Sequence, residues 1–393
     1  MQDKIKSIDN LKLNINKPFN ELSIDFLDDL SEEIKKIKIV KMYPDLYYLI
    51  FWCTKRNILN LKHKHKTNNF RIGRGFVFHV CPNNVPINFI YSFMIGLLSG
   101  NSNIVKLPSK DFKEIDILLK CIKKLFSLKK YVNLKKSNLF LKYDHDKEDY
   151  ISKYISSKSD ARIIWGGDTT VEKLKKIHTP ARCIDVCFAD RYSISIINTK
   201  KFTYLKQSTI DLIARKFFYD IYSMNQLACN SPHFLFWLGD ENVQKKNYFL
   251  DKISKIAKQK FNFDEVHMID KYSNLINKIM KYKELGSVKM YENYLYTVKL
   301  KDSNINIEDI RGVNGIIFQI NVKHLNKMPN YIKKKCQTVT QFGFKKKEFE
   351  NLILTENLLG ADRIVEIGKA FNFNLIWDGV DTINSLSRIV SFE

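Results

Sequence analysis

The sequence predicts an α/β protein built from two lobes. The chain has 393 residues, of which 45% are apolar, enough for a large core and too many for one ordinary small domain. Residues 70–110 are typical of a strand, a tight loop, a helix and a second strand, the unit from which parallel sheets are built. No internal repeat or low-complexity tract appears in the chain.

The residue pattern gives bounds for each helix and strand within residues 70–110. Gly75–Val80 (GFVFHV) is a short apolar run of strand formers, typical of a strand buried on both faces of a parallel sheet. Residues 81–86 break the run, Ile87–Ser99 is apolar almost all round and predicts a buried helix, and Gly100 ends it. Asn103–Leu107 (NIVKL) is the next strand. A right-handed crossover puts the first loop at the carboxyl edge of the sheet, where open α/β folds bind ligands.

The chain is strongly basic, with 65 Lys and Arg against 42 Asp and Glu and a formal charge of +23. Such a surface attracts nucleotide phosphates, anionic lipid, nucleic acid or an acidic carrier protein. The basic runs are short and separated, and no zinc-finger, RNP or homeodomain pattern accompanies them. We therefore expect no nucleic-acid partner.

The seven cysteines are an odd number without framework spacing, and the N-terminus is polar and lacks the apolar core of a secretory signal. Together these features predict a cytoplasmic protein. The longest apolar run, around Ile87–Leu98, is too short for a transmembrane segment. His63 and His65, two residues apart, do not share a helix face, so we expect no metal site.

A glycine pair follows a later predicted strand. Ala161–Trp165 leads into Gly166 and Gly167, and then into a helix whose start can be capped by Asp168 or Thr169. Glycines at such a place let the pyrophosphate of a dinucleotide approach the helix N–H groups. Taken alone, two glycines at such a place are in most cases just an ordinary turn.

Cys229 differs from the other cysteines in its surroundings. It follows a predicted long helix, Thr203–Met224, and precedes a predicted strand, His233–Leu238. Its neighbours are polar or small, whereas the other cysteines mostly lie in apolar strands or helices. An accessible loop thiol is a candidate nucleophile, although an isolated loop cysteine can also be inert.

Four sequence blocks carry a resemblance to a known family. They are FHVCPNNVPINF with LLSGNSNIVKLPSK, then IIWGGDTTV, then RCIDVCFADRYSISIIN, then NQLACNSP. In this order they resemble the long-chain acyl-CoA reductases of the LuxC type, a branch of the aldehyde dehydrogenase superfamily. The resemblance implies an aldehyde dehydrogenase-like fold, with a Rossmann-type nucleotide-binding lobe and a second α/β catalytic lobe.

The domain boundaries are inferred from the family. Residues 1–69 would be an N-terminal helical segment that packs on the first lobe, and residues 70–202 the NAD(P)-binding domain. Residues 203–370 would be the catalytic domain, and residues 371–393 a segment that returns to the first lobe or forms an oligomer interface.

The resemblance also implies roles for residues at matching positions. Cys229 would be the nucleophile, and the Asn84 amide, with the nucleophile's backbone N–H, would donate to the oxyanion. Hydrolytic aldehyde dehydrogenases carry a general-base glutamate where this chain has Phe188. Its absence suits an enzyme whose thioester must meet hydride before water.

The cofactor residues implied by the family lie in two segments. Lys106 would bond the adenosine ribose, although this chain inserts Leu107 before the following proline. Ser109 and Lys110 stand about where NAD-preferring relatives place a glutamate, so we expect NADPH rather than NADH. The second segment contributes Gly166, Gly167, Asp168 and Thr169.

The expected function is NADPH-dependent reduction of a fatty acyl-CoA to the aldehyde through an acyl-cysteine. Alternatives are an acylating aldehyde dehydrogenase for short acyl-CoA, a reductase of acyl-carrier-protein thioesters, and an inactive binding protein with the same fold. The family implies an acyl-protein synthetase partner and a homo-oligomer. The sequence leaves open the acyl length, the thioester donor and the pathway.

Overall fold

The structure, a computed structural model, describes residues 2–65, 68–144, 147–240, 242–261, 263–301, 305–372 and 374–392. The chain forms two compact units, Met1–Asp190 with Phe373–Glu393, and Arg191–Asn372. The boundary predicted near residue 203 falls earlier in the structure, because Tyr192–Asn198 pairs with strands of the second sheet.

Helices of the first unit surround a sheet and also form its N-terminal segment. In chain order they are α1 (Gln2–Asp9), α2 (Glu21–Lys35), α3 (Pro44–Cys53), α4 (Lys55–Lys64), α5 (Asn88–Leu98), α6 (Lys113–Phe126), α7 (Val132–Ser137), α8 (Asp149–Lys158) and α9 (Asp168–Lys175). The helix expected over Ile87–Ser99 is α5, and its side chains after Asn88 are buried, as its apolar composition predicts.

The central sheet of the first unit is parallel and has the order β4-β3-β2-β5-β6. The strands up to this point are β1 (Arg71–Gly73), β2 (Phe76–Val80), β3 (Ser102–Lys106), β4 (Asn138–Leu141), β5 (Ala161–Trp165) and β6 (Ile184–Phe188). The strand order reverses between β2 and β5, which is the topological switch point of a Rossmann-type sheet. The predicted Rossmann-type α/β lobe is therefore confirmed.

A chain of buried polar side chains crosses this sheet. Trp165 Nε1 donates to Ser92 Oγ (3.0 Å), which lies 2.8 Å from His79 Nδ1. His79 Nε2 lies 2.9 Å from Asn103 Oδ1, and Asn103 Nδ2 donates to Asn138 Oδ1 (2.7 Å). Burial lowers the pKa of His79 to about 4, so the ring is neutral. Since an amide oxygen only accepts, Nε2 carries the ring proton and the Ser92 hydroxyl donates to Nδ1.

The two ring nitrogens of His79 bond side chains on different elements, one on α5 and one on β3. Gly96 is needed for this arrangement, because a Cβ there would lie 2.0 Å from Asn103 Oδ1 and 2.8 Å from the imidazole.

The C-terminal residues belong to the first unit. They form β14 (Ile376–Trp377), β15 (Val380–Asp381), α15 (Thr382–Leu386) and β16 (Ser387–Ile389), numbered after the second unit's elements. β16 pairs antiparallel with β1.

The second unit is a seven-stranded sheet in the order β13-β12-β7-β8-β11-β10-β9, parallel except for the antiparallel β9. Its strands are β7 (Tyr192–Asn198), β8 (Pro232–Leu238), β9 (Leu285–Tyr291), β10 (Leu295–Leu300), β11 (Ile316–Val322), β12 (Cys336–Phe342) and β13 (Arg363–Glu366). Its helices are α10 (Thr199–Thr203), α11 (Gln207–Tyr222), α12 (Val243–Lys260), α13 (Glu265–Lys281) and α14 (Lys346–Thr355). Across the described residues of both units, every helix is too short or too polar to cross a bilayer.

Candidate active site

Three loops of the first unit follow the carboxyl ends of neighbouring strands. The loop 81–87 follows β2, the loop 107–112 follows β3, and Gly166 and Gly167 follow β5. Because β3, β2 and β5 are adjacent and parallel, these loops share one edge of the sheet. This edge includes the switch point, where Rossmann-type sheets bind ligands.

Asn83 joins the first two of these loops. Its side-chain Oδ1 accepts a hydrogen bond of 2.8 Å from the backbone N–H of Ser109. Asn84, the candidate oxyanion donor, is the next residue and its side chain is exposed. The sequence analysis missed the role of Asn83, because its partner lies 26 residues away in the chain.

The two candidate cofactor lysines have different surroundings. Lys106 ends β3, is buried, and holds its Nζ 5.2 Å from the centre of the Tyr143 ring. Burial lowers the pKa of Lys106. Lys110 is exposed, with its Nζ 5.4 Å from the centre of the Phe112 ring.

The glycine pair lies directly before α9. Gly167 is the N-cap residue of α9 and has no side-chain cap, which corrects the expectation that Asp168 or Thr169 would cap this helix. Instead, Asp168 Oδ1 accepts a bond from the backbone N–H of Asp190 (3.2 Å) at the end of the unit. Thr169 lies in the first turn and is exposed. A Cβ on Gly167 would meet no atom within 4 Å, so the space beside this residue, at the start of α9, is open.

Phe188, which the family resemblance aligned with the glutamate of hydrolytic aldehyde dehydrogenases, is the last residue of β6. Its ring is buried and stacks on Trp165 with 3.9 Å between ring centres and 19° between planes. Both rings stand at the carboxyl ends of their strands, β5 and β6. An apolar stack here offers no carboxylate to activate water.

In the second unit, Cys229 is the exposed cysteine among the seven, all of which lie in the described part of the chain. Burial raises the pKa of the other six thiols, Cys53, Cys81, Cys121, Cys183, Cys187 and Cys336. The backbone carbonyl of Cys229 accepts a bond of 2.6 Å from the Ser193 hydroxyl, which in turn accepts from the Thr338 N–H (3.1 Å). The thiol is therefore accessible on an anchored backbone.

The turn that leads to Cys229 is strained. Met224, Asn225 and Gln226 have φ of 53°, 54° and 62°, in the left-handed region that costs a non-glycine residue about 1 kcal/mol or more. This turn ends the helix that was predicted to run to Met224 and that stops at Tyr222.

Gln226 anchors the turn. It is fully buried, donates from Nε2 to the carbonyls of Pro232 and Ile316 (3.0 Å each), and accepts from the Gly315 N–H (3.0 Å). Gln226 thus uses both N–H donors of its side-chain amide and one of the two lone pairs of the amide oxygen. These bonds hold the turn against β8 and β11.

A second loop packs beside the candidate nucleophile. Asn230 Nδ2 donates to the carbonyl of Ala370 (2.8 Å). The backbone N–H groups of Gly368 and Ala370 donate to the Asp220 carboxylate at 2.6 and 3.0 Å. Burial raises the pKa of Asp220 to about 7. Arg363 donates to backbone carbonyls of this loop, including that of Lys369.

The fold and these loops define an aldehyde dehydrogenase-like protein. A 1-pyrroline-5-carboxylate dehydrogenase from Thermus with bound NAD matches with a TM-score of 0.65 and 12% identity, over 99% of this chain and 83% of that one. A substrate-bound AldH from Staphylococcus aureus matches with a TM-score of 0.60 and 11% identity, over 93% of this chain and 88% of that one.

The model of the acyl-CoA reductase (LuxC) family matches residues 54–389, and the chain belongs to this family. A long-chain acyl-protein thioester reductase from Aliivibrio fischeri is 27% identical over 199 residues, 49% of this chain and 39% of that protein. Its namesake from Vibrio harveyi is 20% identical over 329 residues, 81% of this chain and 64% of that protein. The chain thus spans less than two thirds of the length of these relatives.

Proposed function

We propose that this protein reduces a fatty acyl thioester to the corresponding aldehyde, with Cys229 as the nucleophile and NADPH as the reductant. The observation that carries the proposal is the exposed thiol of Cys229, which follows a strained, anchored turn. Membership of the acyl-CoA reductase family and the names of the thioester reductase relatives support the reaction class.

The first half of the reaction needs only the protein and the thioester. The Cys229 thiolate attacks the thioester carbonyl, the carbon–sulfur bond to the donor breaks, and the donor leaves as a thiolate. The product is an acyl-cysteine. The Asn84 amide would donate a hydrogen bond to the oxyanion that forms during this exchange.

Residues on the edge of the first sheet would hold the cofactor. These are the residues at the end of β3 and before α9, namely Lys106, Ser109, Lys110, Gly166, Gly167, Asp168 and Thr169. The open space at Gly167 fits a pyrophosphate, and Ser109 with Lys110 favours a 2′-phosphate. The chemistry that NADPH supplies when bound is a hydride for the acyl carbon. Breaking the bond to Cys229 then releases the aldehyde and restores the thiolate.

A carrier-protein thioester is a second candidate donor. The formal charge of +23 favours an acidic carrier protein as a partner. A synthetase partner and a homo-oligomer are further proposals from the family resemblance, and a cytoplasmic location is a further proposal from the cysteine usage. Rates on matched acyl chains, carried by CoA and by a carrier protein, would rank the two donors.

Intact-mass measurement tests the nucleophile. The full chain, incubated with a long-chain acyl-CoA and no NADPH, should gain one acyl group. Cys229→Ala should gain none, while Cys183→Ala, which changes a half-buried thiol, should still be acylated. An adduct that persists in Cys229→Ala would overturn the assignment.

A further inference from the structure

A cavity of about 570 Å³ lies in the first unit, between the chain before α2, the end of α4, the residues before β1, and α15. We propose that this cavity binds a small organic phosphate, with cationic side chains at the phosphate and an apolar wall against the rest of the molecule.

The positive charge of the cavity comes from Lys17, Lys62 and Arg71. Arg71 is half-buried and donates to the Ser387 hydroxyl (2.8 Å) and to the carbonyl of Asn384 (2.7 Å). These acceptors are neutral, so they orient the guanidinium without cancelling its charge. Within the described part of the chain, none of the three cations forms an ion pair with a carboxylate.

A carboxylate beside this cavity pairs with one of its lining histidines. Asp381 lies 2.9 Å from Nε2 of His65, a lining residue whose side chain is 11% exposed. The hydrogen bond to Asp381 raises the pKa of His65, which favours the charged pair. The cavity therefore keeps the net positive charge of its lysines and arginine.

The other walls are apolar. Phe19, Leu59, Phe70 and Ile383 line the cavity, and Lys17 holds its Nζ 4.9 Å from the centre of the Phe70 ring. The volume falls in the range of about 300–1,000 Å³ that is typical of small-molecule sites. A bare phosphate would leave these walls uncovered, so an apolar or aromatic body attached to the phosphate fits better.

This cavity differs from the candidate cofactor edge. The candidate cofactor residues lie at or after the carboxyl ends of β3 and β5, whereas Phe70 and Arg71 precede the amino end of β2 at Phe76. The inference therefore does not depend on the proposed reaction.

Calorimetric titration of the full chain with phenyl phosphate, in about 0.15 M salt, tests the proposal. We expect one molecule bound per chain, and affinity about tenfold lower in Lys17→Ala/Lys62→Ala. The control is Lys135→Ala/Lys136→Ala, which removes the same charge from two exposed lysines of α7 and should bind as the natural chain does. The proposal is wrong if the natural chain and both double variants bind phenyl phosphate with equal affinity. It is also wrong if both double variants lose affinity to the same extent.

Two further experiments test the apolar wall of the cavity and the alternative of a membrane-facing basic surface. Phe70→Ala should weaken phenyl phosphate several-fold more than inorganic phosphate, because only the former touches the apolar wall. Vesicles of anionic lipid distinguish a membrane-facing basic surface from a small-molecule site. If the cavity variant loses vesicle binding but keeps phenyl phosphate binding, the proposal is wrong.

Discussion

The side-chain amide of Asn225 donates a hydrogen bond of 3.0 Å to Nε2 of His267, a residue of α13. His267 Nδ1 lies 2.5 Å from Asp264 Oδ1, and Nε2 is the acceptor in the bond from the Asn225 amide. Asn314 closes the arrangement, because its backbone N–H donates to the Asn225 carbonyl and its side chain donates to the His267 carbonyl. The middle residue of the strained turn is therefore held from two elements.

We expect His267→Ala to let this turn relax and to misplace Cys229. Turnover and the rate of iodoacetamide labelling at Cys229 should both fall, by roughly 10- to 100-fold for a shift of about 1 Å. His267→Gln, whose amide oxygen can accept from Asn225, should restore most of both rates. If His267→Ala left the labelling rate unchanged, the conformation of the turn would not depend on the bond between Asn225 and His267.

Asn84→Ala should lower kcat by about 10²- to 10³-fold, the usual cost of one oxyanion donor. The side chain is exposed, so the unfolding temperature should not change. Asn83→Ala is the matched control, since it breaks the bond to Ser109 and should act mainly on the KM for cofactor. Equal losses of kcat in both variants would mean that the loop, rather than the Asn84 amide, matters.

Lys110→Ala should raise the KM for NADPH roughly tenfold, by removing a charge from the 2′-phosphate, and should leave NADH kinetics unchanged. Lys113→Ala, an exposed lysine in the first turn of α6, serves as the control. A natural enzyme with higher catalytic efficiency on NADH would contradict the cofactor assignment.

Gly167→Ala should weaken cofactor binding at least tenfold, since the methyl group enters the space before α9. The protein itself tolerates the change, because φ is −67° and no atom lies within 4 Å of the new Cβ. Helix capping costs about 1 kcal/mol at most. Acylation of Cys229 without nucleotide should continue at the normal rate, and a normal Kd for NADPH in this variant would count against the site.

His79 should make stability depend on pH. Its pKa is about 4 in the folded protein and 6.5 as the ordinary value, so the unfolded chain binds a proton first as the pH falls. The stability that the neutral His79 ring contributes is fully present above pH 6.5. As the pH falls from about 6.5 to 4, this contribution is lost and the free energy of unfolding decreases by about 3 kcal/mol. Free energies of unfolding for the natural chain and His79→Gln, measured across this range, should converge as the pH falls. Parallel curves would show that the ring is not kept neutral.

Local pattern predicted the first sheet well. β2, α5 and β3 are buried on all sides, and their apolar runs indicate this directly. β9 was missed because it is an antiparallel edge strand whose residues are mostly exposed or half-buried. The assignment of β7 to the second unit was missed because its pairing with β12 joins residues more than 140 positions apart, and a local apolar run does not encode its partner.

The candidate site was predictable where a single segment carries the chemistry. Cys229 and the glycine pair are readable from their neighbours and from the family resemblance. The hydrogen bonds that hold these segments in place were not predictable, because Asn225 and His267 are 42 residues apart and Asn83 and Ser109 are 26 apart. Their contacts arise only once the sheets and helices have assembled.

The bond between His79 and Ser92 also determines what the loop 81–87 can do. One partner lies near the end of β2 and the other in the second turn of α5, so a single buried contact clamps both stems of the loop that carries Asn84. Trp165 donates to Ser92, and Asn103 accepts from His79. If β2 or α5 shifted by one residue, these buried polar atoms would lose their hydrogen-bond partners. The contact between His79 and Ser92 therefore fixes the two ends of the loop that carries Asn84 relative to each other.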